Sequence, residues 1–79
     1  MIRVKALYFG QLRERRGRQE EVLEAASRLT VRELYQRVFA GTPESGLTVA
    51  FARNETYVDP QAQIDDGDVI AFLPPVGGG

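Results

Sequence analysis

The chain has 79 residues, 43% of them apolar, and its ten basic and eleven acidic side chains give a net charge of −1. A chain of this length forms one small domain that buries only about 60 to 65% of its unfolded surface. The charge argues against nucleic acid and anionic membranes as partners, since both need a basic excess. No apolar run approaches a membrane span of roughly 18 residues, and residues 1–10 lack the long apolar stretch and the small-residue cleavage site that are typical of a signal peptide. We therefore expect a cytoplasmic protein.

Cysteine and histidine are both absent from the sequence. Their absence removes disulfides, the usual zinc ligands and the commonest general base together. The remaining nucleophiles, such as Lys5 and Ser27, have no base partner visible in the sequence. We predict no metal site, no bound cofactor and no catalytic side chains in this chain.

The first predicted strand covers residues 2–9 and alternates in polarity. Its regular apolar positions are Ile2, Val4, Ala6 and Tyr8, opposite Arg3 and Lys5. Leu7 and Phe9 lie on the charged face, which becomes apolar towards the end of the strand. Either a partner covers this end, or the strand is buried there on both faces.

Residues 10–25 are polar and carry weaker signals. Residues 10–18 contain four arginines, and we interpret them as a solvated helical turn and loop because glutamates lie nearby and no aromatic residues interleave. Residues 22–25 are predicted to form a second strand, and the two glutamates before it, Glu20 and Glu21, should face solvent.

The clearest local signal is a helix over residues 31–40, whose apolar residues recur at helical spacing. Thr30 and Glu33 form a capping box at its start. Gly41 and Pro43 should end it. We interpret the apolar stripe of this helix as core.

Three further strands are predicted after the helix. They cover residues 47–52, the short pair Tyr57 and Val58, and the apolar run 69–73, which should be central and buried on both faces. The acidic residues 65–68 lack the ligand spacing of a calcium loop and favour a tight turn with Gly67 at positive φ.

The order of these elements predicts an α+β fold. The first and last strands should lie adjacent and parallel in the centre of a mixed sheet, with one main helix covering one face. This is the β-grasp arrangement of ubiquitin-like proteins. We assign residues 1–73 to this domain and residues 74–79 to an extended C-terminal tail.

The tail reads Pro74, Pro75, Val76, Gly77, Gly78 and Gly79. The two prolines restrict φ and should direct the chain away from the sheet. Glycines without Cβ atoms can thread a narrow tunnel, so the terminal carboxylate of Gly79 can be delivered into another protein's active site.

The whole chain resembles the small subunits of molybdopterin synthase, a family of β-grasp sulfur carriers. The resemblance is carried by Tyr8 to Glu14, Thr30 and Val31 with Leu34, Asp66 to Val69, and Pro74 to Val76 with Gly78 and Gly79. Two departures are mild: Gly77 lies at a variable small-residue position, and Arg53-Asn54-Glu55 replaces a turn that more often reads apolar-Asn-Gly.

The resemblance implies that an ATP-dependent adenylyltransferase of the ubiquitin-activating type activates the carboxylate of Gly79. Sulfur from a persulfide donor then gives a thiocarboxylate, which attacks a cyclic pyranopterin monophosphate inside the large subunit, in a heterotetramer. The ATP is used by the partner enzyme. Residues 74–78 would contact these partners.

Strand parity adds a docking surface on the outer face of the sheet. Phe9 and Leu73 should point away from the core, and Tyr57 matches a similarly apolar position of the family.

Three alternatives stay open. The glycines could be a disordered end or a cloning remnant. The chain could be a sulfur carrier for thiamine synthesis or tRNA thiolation. It could also be a ubiquitin-like modifier of other proteins.

Overall fold

The computed structural model describes residues 1–40 and 49–74. They form five strands and two helices: β1 Ile2–Tyr8, α1 Gly10–Arg16, β2 Glu20–Ala25, α2 Val31–Val38, β3 Ala50–Arg53, β4 Thr56–Val58 and β5 Val69–Leu73. The predicted order of strands and main helix is confirmed. The helical turn expected within residues 10–18 is longer than predicted, a seven-residue helix, because Leu12 is fully buried and anchors it to the core.

The five strands form one mixed sheet in the order β2-β1-β5-β3-β4. β1 and β5 are parallel, whereas the other three neighbouring pairs are antiparallel. The two most apolar strands are therefore adjacent and parallel, as predicted. With α2 packed on one face, this is the β-grasp arrangement.

One hydrophobic core lies between the inner face of the sheet and the two helices. Its fully buried large side chains are Val4, Tyr8, Leu12, Val31, Leu34, Ile64, Ile70 and Phe72. Aromatic rings fill its centre, where Tyr8 stacks on Phe72 and meets Phe39 edge to face, each with centroids 5.8 Å apart. Such ring pairs add to the stabilisation from burial alone.

The start of α2 has the predicted capping box. The Thr30 hydroxyl accepts from the Glu33 amide at 3.1 Å, and the Glu33 carboxylate accepts from the Thr30 amide at 2.9 Å. The predicted stop at Gly41 and Pro43, and the first two residues of the strand predicted over 47–52, lie outside the described residues. Neither described helix is long and apolar enough to cross a membrane.

Two burial predictions are wrong. β5 is central but buried on one face only: Ile70 and Phe72 are fully buried, whereas Val69, Ala71 and Leu73 are half-buried. Glu21 does not face solvent. β2 begins at Glu20 and pairs Glu21 with Ala6 of β1, which places both residues on the inner face.

The acidic turn before β5 is used structurally, and Gly67 has the predicted positive φ, 87°. The Asp68 carboxylate accepts from the Asp65 amide at 2.7 Å and from Nδ2 of Asn54 at 3.0 Å. Asp66 accepts from the Arg3 amide at 2.9 Å. The carboxylates of Asp66 and Asp68 therefore hold the turn together and fix it to β1.

Candidate functional site

The C-terminal segment leaves the sheet beside the start of α1. Leu73, the last residue of β5, pairs with Ala50 of β3, and Pro74 follows it half-buried. The Pro74 ring lies against Gly10, so closely that a Cβ built on Gly10 would be 3.0 Å from Cγ of Pro74. The exit from the sheet is thus marked by a contact between Pro74, the residue after β5, and the first residue of α1.

The other predicted tail residues, Pro75, Val76, Gly77, Gly78 and Gly79, lie outside the described residues. Pro74 is therefore the last described residue of the C-terminal segment. From there five residues can span at most about 17 Å when fully extended.

Strand pairing aligns one row of side chains across the outer face of the sheet. Read from β2 to β4, this row is Glu20, Leu7, Ala71, Ala52 and Tyr57. Its four members from Leu7 to Tyr57 carry no formal charge, and Tyr57 is 74% exposed.

Phe9 and Leu73 lie two residues beyond Leu7 and Ala71 on the same face, on the side of the tail exit. Phe9 keeps an extended backbone, with φ −127° and ψ 154°, and is 44% exposed, whereas Leu73 is half-buried. We call the set Leu7, Phe9, Ala52, Tyr57, Ala71 and Leu73 the outer patch. The three docking residues predicted from the sequence, Phe9, Tyr57 and Leu73, all belong to it.

The opposite end of the same face is charged. Lys5 Nζ lies 2.8 Å from a carboxylate oxygen of Glu20, and Arg3 pairs with Glu24 at 3.5 Å. Both pairs bridge β1 and β2. The outer face therefore changes from charged to apolar towards the point where Pro74 leaves the sheet, which places an apolar contact surface next to the tail exit.

A paired polar cluster lies on the inner side of the same strands. The Glu21 side chain, 9% exposed, accepts from the Tyr8 phenol at 2.6 Å, from Arg16 at 2.5 and 3.0 Å, and from Arg18 at 3.2 Å. These bonds join β1, α1 and β2 around one carboxylate.

The same contacts shift the pKa values of the cluster. Hydrogen bonding from Arg16 lowers the pKa of Glu21 despite the opposing effect of burial. Burial and the neighbouring Glu21 carboxylate raise the pKa of Tyr8, so its phenol remains protonated as a donor. Sequence reasoning missed this cluster because it began the second strand at Val22; starting at Glu20 would have given Glu21 the inward parity.

The described residues combine the outer patch with the contact of Pro74 on Gly10. The buried carboxylate of Glu21 is committed to its four donors, and within residues 1–40 and 49–74 every buried side-chain polar atom has a hydrogen-bond partner.

Comparison with known proteins identifies the family. The ThiS family matches residues 6–79. A molybdopterin synthase sulfur carrier subunit from Chlamydomonas reinhardtii is 35% identical over 83 residues, which cover 99% of this chain and 100% of that protein.

Solved structures agree with this match. Molybdopterin converting factor subunit 1 from Pyrococcus furiosus has a TM-score of 0.79 and 29% identity, covering 96% of this chain and 100% of that one. A complex of subunits 1 and 2 of molybdopterin-converting factor from Helicobacter pylori has a TM-score of 0.64 and 26% identity, and the match covers 99% of this chain and 100% of that one. SAMP1 from Haloferax volcanii has a TM-score of 0.79 and 22% identity, and the match covers 98% of this chain and 99% of that one. At this identity the likeness shows the fold alone. The match over nearly the whole length shows that this chain belongs to the ThiS family.

Proposed function

We propose that the chain is the sulfur carrier subunit of a molybdopterin synthase and carries sulfur on the carboxyl group of Gly79. The observation that carries this proposal is the full-length similarity to a molybdopterin synthase sulfur carrier subunit. The position of the outer patch beside the tail exit supports it, since a carrier must be held by its surface while its end reaches a reaction centre.

The chemistry starts with activation, because a carboxylate is a poor electrophile. An adenylyltransferase partner uses ATP to convert the Gly79 carboxylate to an acyl-adenylate with release of pyrophosphate. The terminal sulfur of a protein persulfide attacks the acyl carbon and AMP leaves. A thiol reductant then cleaves the S–S bond of the acyl persulfide, which leaves a thiocarboxylate on Gly79, a thiol on the donor and a disulfide from the oxidised reductant.

The thiocarboxylate is the nucleophile that this chain otherwise lacks. Like a thiolate, it is nucleophilic near neutral pH. Its sulfur attacks an oxygen-bearing carbon of a cyclic pyranopterin monophosphate, and the C–O bond at that carbon breaks as its oxygen leaves with a proton. Hydrolysis of the resulting thioester returns the Gly79 carboxylate and leaves the sulfur on the pterin. Each chain delivers one sulfur, so a dithiolene needs two transfers.

Two partners follow from this cycle. The large subunit of the synthase would hold the outer patch and accept the tail, as the Helicobacter pylori complex of two subunits suggests for a related pair. The adenylyltransferase, of the ubiquitin-activating type, would hold the same chain during activation and bind the ATP. The synthase would be a heterotetramer of two small and two large subunits.

The test is sulfur uptake at the C-terminus. The purified chain is incubated with a ubiquitin-activating-type adenylyltransferase, ATP and a persulfide donor, and its intact mass is measured. We expect the mass increase that corresponds to exchange of one oxygen for one sulfur. Deleting Gly79, or adding an alanine after it, should abolish uptake, whereas adding an alanine before Met1 should not.

The same mixture separates the alternatives. Uptake by a variant with an unprocessed C-terminal alanine would contradict the carrier chemistry. Transfer of the sulfur to tRNA or a thiamine precursor, but not to the pterin in the presence of the large subunit, would identify a different pathway. Covalent adducts on lysines of other proteins would identify a modifier.

A further inference from the structure

Gly10 lies in contact with the ring of Pro74, and this contact is not part of the helix α1 itself. Gly10 is the first residue of the helix and has φ +53°, and the space next to its Cα is occupied by the ring of Pro74. A Cβ there would be 3.0 Å from Cγ of Pro74, so the ring would have to move by a few tenths of an ångström. The absence of a side chain at this position is what lets the ring sit where it does.

Gly17, at the other end of the same helix, provides a comparison within the chain. It also has positive φ, +76°, but a Cβ on Gly17 would meet no atom within 4 Å. Both positions disfavour a side chain because of their φ. Only at Gly10 does a side chain also displace the residue that begins the tail.

Gly10 and Pro74 are both attached to parts of the fold that are anchored by packing. On one side α1 is anchored by the buried Leu12 and by the bonds of Arg16 to Glu21. On the other side Phe72, two residues before Pro74, stacks on Tyr8 in the core. Because both neighbouring elements are fixed by packing, we expect a displacement forced by a Cβ on Gly10 to be taken up at Pro74.

We propose that Gly10 is a positioning residue that sets the direction in which the tail leaves the sheet and so delivers the Gly79 carboxylate to partner active sites. This inference rests on the proposed function. A residue that precedes a proline is restricted to extended conformations, so the backbone of Pro74, which precedes Pro75 in the sequence, has few alternative conformations with which to absorb a displacement of its ring. Small displacements of a reacting group lower rates steeply.

The test compares Gly10→Ala with Gly17→Ala in the complete chain. Sulfur uptake is measured at saturating carrier concentration, together with the KM for the carrier and the melting temperature. We expect Gly10→Ala to lower the maximal rate at least about fivefold with KM within about twofold, and Gly17→Ala to leave both within about twofold. The ¹³C shifts of the Pro74 ring should change only in Gly10→Ala.

A second substitution shows whether the ring is the cause. Pro74→Ala removes the atoms that an added Cβ would meet, so Gly10→Ala should cost no more than about twofold in that background. If Gly10→Ala unfolds while the double variant folds, the clash with the ring is supported; if both unfold, backbone strain is the cause and the proposal is wrong.

The activity of the wild-type chain separates a failure of the positioning role from a failure of the proposed function. An active wild-type chain whose Gly10→Ala and Gly17→Ala variants behave alike overturns the positioning role alone. A wild-type chain that takes up no sulfur overturns the proposed function and the positioning role with it.

Discussion

The Tyr8 phenol donates a 2.6 Å hydrogen bond to Oε2 of Glu21, the oxygen that also accepts from Nε of Arg16 at 2.5 Å. Tyr8 lies on β1, Glu21 on β2 and Arg16 at the end of α1. A single carboxylate therefore joins three elements, and its burial makes these bonds stronger than they would be in water.

Glu21→Gln is expected to destabilise the fold. It removes a charge that is hydrogen-bonded to a buried phenol and two arginines. A hydrogen bond to a charged group contributes about 1.5 to 3 kcal/mol to stability. Because Arg16 and Arg18 are partly exposed, we expect a loss of about 2 kcal/mol in the free energy of unfolding, measured by urea denaturation at pH 7. Glu24→Gln is the matched control on the same strand, since its exposed pair with Arg3 should contribute no more than about 0.5 kcal/mol.

The interactions of the Glu21 carboxylate also predict how the stability of the fold depends on pH. The pKa of Glu21 is lowered in the folded state, chiefly by hydrogen bonding from Arg16. Its stabilisation is therefore complete above the ordinary carboxyl pKa of 4.5 and is lost as the pH falls through the lower value of the folded state. The difference in stability between the wild type and Glu21→Gln should shrink below pH 4.5; a difference that stays constant down to pH 3 would contradict this account.

The contrast between α2 and Glu21 shows what the sequence could predict. The capping box of Thr30 and Glu33 and the stripe of α2 depend on spacing within one segment, and both are confirmed. Whether Glu21 faces inwards depends on its register against Ala6 in another strand, which composition does not reveal. The contact of Gly10 with Pro74 joins the two ends of the chain, so no local pattern indicates it.

The short helix α1 was only partly predicted for a related reason. Most of its side chains are exposed, and its apolar anchor is the single residue Leu12, which is too little for a periodic pattern. Leu12→Ala should nevertheless lower the free energy of unfolding by about 2 to 4 kcal/mol, as for other fully buried leucines. Gln11→Ala, at the exposed neighbouring position, should change it by less than about 0.5 kcal/mol. Equal effects of the two changes in urea denaturation would mean that α1 is not packed on the core.

The turn between β3 and β4 contains two residues other than glycine with positive φ. Asn54 and Glu55 both have positive φ, 52° and 70°, as in the type I′ turns that favour Asn-Gly. Glycine adopts this conformation without the penalty that a side chain incurs, so Glu55→Gly should raise the free energy of unfolding by about 0.5 to 1 kcal/mol. Its melting temperature should rise accordingly, and an unchanged or lower value would contradict this prediction.

Asn54→Gly provides the opposite control in the same turn. It also relieves positive φ, but the Asn54 side chain accepts from the Val69 amide at 2.9 Å and donates to Asp68 at 3.0 Å. Losing both bonds should lower the free energy of unfolding by about 1 to 2 kcal/mol.

Substitutions in the outer patch should weaken binding to the large subunit while changing the stability of the chain little. Phe9 and Tyr57 are 44% and 74% exposed, so Phe9→Ala and Tyr57→Ala should lower the melting temperature by only a few degrees. Aromatic side chains buried at the centre of an interface commonly contribute about 2 kcal/mol or more, so each change should weaken binding to the large subunit at least about tenfold in calorimetry.

Val22→Ala is the matched control: Val22 is 61% exposed on the same face but lies outside the patch, and its loss should change affinity by less than about twofold. If Val22→Ala weakens binding as much as Phe9→Ala and Tyr57→Ala do, the interface is centred on the charged end of the face, and the outer patch is not the docking surface.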